Sequence, residues 1–264
     1  MLHTVLATRF NRPMDKGQTK PNLIACEDDA GNEMELVVKC SSGCMLKEKS
    51  LAYEAMAAML AADLNLPVPQ PYVVEFDETF LNSMEEGSVK KLLTESCKYA
   101  FGSKFLPAGF AIWATGGKIP AALTDEAAEV FVFDAIIVNS DRRPINPNCL
   151  FNGTEIAIFD HELVFGFDQI LFWKDPWIDG ALDTFNSREF HIFAGPYFEK
   201  PPRGLQRFVD AWQALPESRF SEYKNALPPE WIGDGIFVDN IIIYLQQVKA
   251  NIQIVVANAL KVLT

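Results

Sequence analysis

The dipeptide Asn152-Gly153 lies between the apolar runs CLF and IAIF, and it constrains the geometry of this chain more than any other pair of residues. Asn-Gly in that setting predicts a β-hairpin closed by a two-residue type I′ turn. With Phe151 facing Thr154, counting back along the strands sets Asp160 opposite Ile145 and next to Asn146. Cross-strand neighbours lie about 5 Å apart, so the amide oxygen of Asn146 and the carboxylate of Asp160 can share one ion. Magnesium suits such hard oxygen donors, because it takes one or two protein oxygens and fills its other positions with water and phosphate.

Asp141 stands five residues before Asn146, in a loop opened by Asn139 and stiffened by Pro144 and Pro147. Thr124 is expected to cap a helix that begins with Asp125 and Glu126, runs through Val138 and delivers Asp141. An Asp, an Asn five residues on, a strand pair and a second Asp are what metal-assisted phosphoryl transfer uses: a base for the acceptor hydroxyl and two metal ligands. Upstream, a predicted hairpin turns at residues 28–32, and its second strand ends at Lys39. A helix over 46–64, rich in Ala, Leu and Met, stops at Asn65 with Pro67 and Pro69 beyond. Within it Glu54 is surrounded by Leu51, Ala55, Ala57 and Ala58. A carboxylate on so apolar a helix needs a partner if buried, and Lys39 is the expected one; taken singly, Lys39 could snorkel to water and Glu54 face solvent.

The runs NSDRRPINPN and IAIFDHE resemble the catalytic segment of HipA-like kinases and, more distantly, that of phosphatidylinositol 3- and 4-kinases. Arg143 stands where that family has a His, and His161-Glu162 replaces the Phe-Gly that follows the metal-binding Asp in most protein kinases. The resemblance runs from about Gly17 to the last helix. It implies an α+β, bilobal protein-kinase-like fold: an N-terminal lobe of small β-sheet plus helix over residues 1–106, and a mainly helical C-terminal lobe over 107–264. ATP and Mg are the implied cofactors, with Asp141 catalytic and Asn146 and Asp160 on the metal. Lys39 and Glu54 would position ATP; Gly17 and Thr19, in the loop GQTKP, would lie by its phosphates, although a lone Gly before Lys and Pro also reads as an ordinary turn. Backbone groups from Lys104 to Leu106, in YAFGSKFLPAG, would meet the adenine. The acceptor implied is a serine or threonine hydroxyl of a protein; a lipid or small-molecule kinase and a pseudokinase binding module are the alternatives. A toxin role with an antitoxin-like partner follows from family association alone.

A formal charge of -12 and a pI near 4.7 exclude a general nucleic-acid binder, since phosphate contacts need a basic surface, though the pair Arg142-Arg143 could meet an anion locally. Five cysteines without a framework read as free thiols in a reducing compartment, with Cys40 and Cys44 in core packing. The N-terminus lacks the apolar run of a signal peptide, and the apolar segment 241–263 is broken by Gln246, Gln247, Lys249, Asn251 and Gln253. It therefore reads as a core helix whose stripe is Ile241, Leu245, Val248, Ile252, Val255 and Ala259, and the protein as cytoplasmic. The acidic stretch 77–88 reads as a surface excursion, Trp173 and Trp177 as packing, and His191 as a satisfied core residue.

Overall fold

Alternating apolar residues build the first part of the chain into strands that close on themselves. The computed structural model describes residues 2–14, 17–167, 170–185, 187–195 and 197–264. Five strands, β1 (His3–Pro13), β2 (Asn22–Glu27), β3 (Glu33–Lys39), β4 (Pro71–Glu75) and β5 (Tyr99–Lys104), form a closed barrel in the order β1-β2-β3-β5-β4. The expected small sheet closes into a barrel, because β1 pairs in parallel with β4 from His3↔Tyr72 to Leu6↔Glu75. Val5, Ala7, Ile24, Cys26, Leu36, Val38, Val74 and Ala100 recur at every second position and share one buried core. Gly102 is required there: a Cβ would stand 2.7 Å from Val74 Cγ2 and 3.0 Å from Leu36 Cδ1. The β2–β3 turn falls at residues 28–32 as expected, with Asp28 Oδ1 accepting from the N–H groups of Ala30 and Asn32, each at 2.9 Å.

Helix α1 (Glu48–Asp63) ends as its sequence foretells, on Asn65 with φ +57°. Residues 77–88, expected as a surface excursion, instead carry α2 (Glu78–Ser83) and the start of α3 (Ser88–Thr94). Asp77 caps α2 by accepting from Phe80 N–H at 2.6 Å, and Phe80 and Leu93 enter the barrel's core. Apolar residues spaced among the acids anchor what composition alone placed outside.

The chain divides into two compact units: Met1–Met59, Pro69–Pro107 and Glu222–Val238 in one, Leu60–Val68, Ala108–Ser221 and Asp239–Thr264 in the other. The passage at Pro107 falls beside the expected boundary, but Leu60–Val68 and Glu222–Val238 each group with the unit on the other side of it. Glu222–Val238 holds to the first unit partly through Trp231, whose Nε1 donates to Tyr99 O at 3.1 Å.

In the second unit, α4 (Thr124–Ile137) is buried from Ala127 through Ile137. Thr124 does not cap it: a 3-10 turn over Ala121–Leu123 leads in, and the Thr124 hydroxyl donates instead to Lys200 O. Strands β6 (Ala111–Ile112), β7 (Cys149–Phe151) and β8 (Ile156–Ile158) make a three-stranded sheet. After them come α5 (Gln206–Ala214), α6 (Glu217–Asn225), α7 (Pro229–Ile232) and α8 (Ile236–Leu263). The expected stripe of α8 is buried, from Ile241 to Ala259, and Tyr244 on the same helix donates its hydroxyl to Ile136 O at 2.8 Å. Among the described residues no helix is long and apolar enough to cross a membrane. All five cysteines are free, and burial pushes the Cys40 thiol up to about 12, which fits packing and not redox chemistry.

Candidate active site

Lys39 closes β3 opposite Phe101 of β5, and its Nζ lies 2.7 Å from Glu54 Oε2 on α1. Both side chains are nearly sealed from solvent, at 9% and 4% exposure. Neither charge is tolerable there without the other, so strand and helix are fixed to one another at this point. In the β1–β2 loop Gly17 has φ +121°, and a Cβ on it would meet Pro21 Cδ at 2.8 Å. Gly17 is exposed but Thr19 is buried, so of the two loop residues expected beside phosphates only Gly17 reaches solvent. At the end of β5, Lys104 N–H donates to Gln70 O and Phe105 N–H to Glu35 O, both at 2.9 Å. Two backbone donors expected at the adenine are therefore committed to the protein, while Leu106 is half-buried beyond them.

In the second unit the hairpin turn differs from the expectation. Pairs run Cys149↔Ile158 to Phe151↔Ile156, so the loop has four residues and the register moves by two. A type I′ turn needs positive φ at both central residues, yet only Gly153 has it. Asn152 instead folds its side chain over the loop, Oδ1 accepting from Thr154 N–H at 3.0 Å and Glu155 N–H at 2.8 Å. Phe159 N–H then donates to Asn148 O, and by the same count Asp160 falls level with Pro147 instead of Ile145. It is still one place from Asn146 in register, and its φ of +64° turns it out of the strand.

Asp141 sits in a web of amides. Its Oδ2 accepts from Asn146 Nδ2 at 2.7 Å and Asn148 Nδ2 at 3.2 Å, and its N–H donates to Asn139 Oδ1 at 3.1 Å. Because Asn146 gives its nitrogen to Asp141, its oxygen is left to face elsewhere. The loop leaves α4 through Val138 at φ +61°, an uncommon conformation for a β-branched residue that costs on the order of 1–3 kcal/mol. Asn139 secures it, donating its N–H to Asp134 O and its Nδ2 to Asp134 Oδ1, both at 2.8 Å.

Asp134 is the residue the sequence reading missed. It is fully buried, with Arg142 Nε 2.5 Å from its Oδ2 and Nη2 3.1 Å from its Oδ1. Arg142 is equally buried; it also donates to Asn148 O and, at 2.9 Å, to His161 Nε2. The expected anion contact at Arg142 is thereby corrected: its guanidinium is occupied inside the protein, and Arg143 is the exposed one, 3.7 Å from Asp141. Burial alone would push the Asp134 carboxyl up, but the Arg142 charge and the His191 hydrogen bond outweigh it and hold it well below the carboxylate range.

His191 is the satisfied core residue expected, its Nε2 2.9 Å from Asp134 Oδ2 and its Nδ1 accepting from Phe193 N–H at 3.1 Å. Those partners require a neutral ring with the proton on Nε2. Burial lowers its pKa despite the facing carboxylate. Below the ordinary histidine value of about 6.5 the unfolded chain therefore binds a proton that the folded one refuses, so stability falls as pH drops from there toward the depressed folded value. Melting temperature should decline between about pH 7.5 and about pH 5.5, and His191→Gln should flatten that decline; parallel curves for the two proteins would remove His191 as its source.

The barrel with its buried lysine–glutamate pair, and separately the acid-bearing loop of the second unit, are parts of the kind that a kinase carries. The sequence matches the family of HipA-like kinases over residues 7–172, and the chain belongs to that family. Comparison with curated proteins gives no match. Among solved structures it is similar to the Helicobacter pylori proinflammatory kinase CtkA, with TM-score 0.55, 15% identity and 99% of each chain covered, a likeness of fold. A MAP kinase from Leishmania major aligns over 96% of this chain and 81% of its own at TM-score 0.30 and 11% identity.

Proposed function

We propose that the protein transfers the γ-phosphoryl group of ATP to a serine or threonine hydroxyl of a protein substrate. The buried Lys39–Glu54 pair carries this reading, since an ammonium so placed at a strand end serves to hold phosphates. Asp141 accepts the proton of the acceptor hydroxyl as the new O–P bond forms and the bond to the departing ADP oxygen breaks. The donor set fits Mg²⁺: a carboxylate on Asp160 and an amide oxygen on Asn146, both hard oxygens. When bound, the metal neutralises phosphate charge. Gly17 lets the β1–β2 loop come close to the phosphates, and Asn146 and Asn148 keep the Asp141 carboxylate aimed. Free thiols throughout favour a reducing compartment, the cytoplasm.

Incubating the purified protein and candidate substrates with Mg²⁺ and ATP, followed by mass spectrometry, tests the proposal. Phosphate on serine or threonine is expected with the wild type and should be lost with Lys39→Ala. Equal labelling of both proteins, or none together with no Mg²⁺-dependent ATP binding, would overturn it.

A further inference from the structure

A short 3-10 turn, Ser41–Gly43, follows directly on Lys39 and Cys40 and lies against the root of the β1–β2 loop. A Cβ built on Gly43 would stand 2.5 Å from the carbonyl oxygen of Thr19 and 3.4 Å from its carbonyl carbon. The backbone of Gly43 makes no demand for glycine, since its φ lies outside the left-handed region. Space alone makes the demand. The turn is tied down on its far side: Ser42 Oγ donates to Leu92 O of α3 at 2.7 Å and lies 2.8 Å from Ser96 Oγ, and Ser42 N–H donates to Ser96 Oγ at 3.2 Å. Ser41 Oγ accepts from Cys97 N–H at 3.0 Å. On the loop side Thr19 is buried, and Lys20, with φ +50°, turns its N–H back to Gly17 O at 3.2 Å. Asn22, also buried, donates its Nδ2 to Lys20 O at 3.1 Å. Gly17 and Gln18 are exposed beyond this root.

We infer that Gly43 is a positioning residue for ATP: it sets where the β1–β2 loop rests, and so how far the exposed backbone at Gly17 and Gln18 reaches toward the phosphates. The inference rests on the reading of that loop as the one beside the phosphates. It gives buried Thr19 a part there that its side chain cannot play, since the carbonyl of Thr19 is the surface on which the loop meets Gly43. Any side chain at position 43 would drive that carbonyl outward by about 1 Å before an ordinary contact is restored. In a site that works by placement, about 1 Å of displacement can cost as much as 10²-fold. The loop gives way and not the turn, because the turn is fastened to α3 and to the residues after it, whereas the loop ends in exposed residues.

The test is calorimetry with the full chain and Mg²⁺, using ATP, ADP and adenosine in turn. Gly43→Ala should bind ATP and ADP about tenfold more weakly than the wild type does, and adenosine, which has no phosphates to place, equally well. Amide exchange followed by mass spectrometry should quicken over residues 17–22 and stay unchanged in β3, which carries Lys39. Adding Ser42→Ala to Gly43→Ala frees the turn from Leu92 and Ser96, so that it can recede in place of the loop and return part of the lost ATP affinity. Undiminished ATP binding by Gly43→Ala, equal losses for ATP and adenosine, exchange that quickens in β3 instead, or a double variant that binds ATP no better than Gly43→Ala would each overturn the inference and leave the phosphotransfer proposal standing. A wild type that binds ATP no more tightly than adenosine would overturn the phosphate reading of the loop itself, and the inference with it.

Discussion

Asp141→Ala should lower phosphotransfer by about 10²–10⁴-fold, the usual contribution of a positioned general base, while ATP affinity stays within about threefold of the wild type. The carboxylate is held by Asn146 and Asn148 and is not part of the buried framework beneath it, so its removal should spare the fold. Asp141→Asn separates the two roles of that side chain. It keeps the shape and one acceptor oxygen for the amides, yet cannot take a proton at neutral pH, and so should lose turnover nearly as completely. Turnover rates and nucleotide affinities measured side by side decide the matter; an Asp141→Asn protein of near-normal activity would strip the residue of its role.

The parts of this protein that could be read in its sequence are those governed by local rules. Asp28 and Asn32 announced their turn, Asn65 and the two prolines after it ended α1, and Glu54 betrayed its partner because a lone acid among alanines needs one. The same argument applies to Asp134 in EVFVFDAII, an acid in a fully buried helix. The clue was present there too, but its partners Arg142 and His191 are set by tertiary packing and not by strand periodicity. Barrel closure was hidden for a related reason. Parallel pairing of β1 with β4 joins segments more than sixty residues apart, and no pattern in either strand names the other. The hairpin register went astray on one side chain: Asn152 uses its carbonyl oxygen to build a four-residue loop where the dipeptide rule provides for two. The slip is one of two residues, which preserves the face of a strand.

Asp134→Ala is expected to be the most destabilising single change in the second unit. Arg142 lies at 0% exposure, and without the carboxylate its guanidinium would be an uncompensated buried charge, which costs roughly 3–5 kcal/mol. Asn139 Nδ2 and His191 Nε2 would lose their acceptor at the same time. For a chain of this size the melting temperature should fall by on the order of 10 °C. Phosphotransfer should fall with it even below the melting range, because Asn139 links Asp134 to the backbone of Asp141 and holds Val138 in its unfavourable conformation. The cause can be distinguished from simple loss of packing by removing both charges. Asp134→Ala combined with Arg142→Met should be less destabilising than Asp134→Ala alone, since an apolar pair leaves no buried ion unmatched. Thermal denaturation of the single and double variants is the measurement: a double variant no more stable than the single would show that the deficit comes from lost contacts, and that the Arg142 charge is not what Asp134 is there to balance.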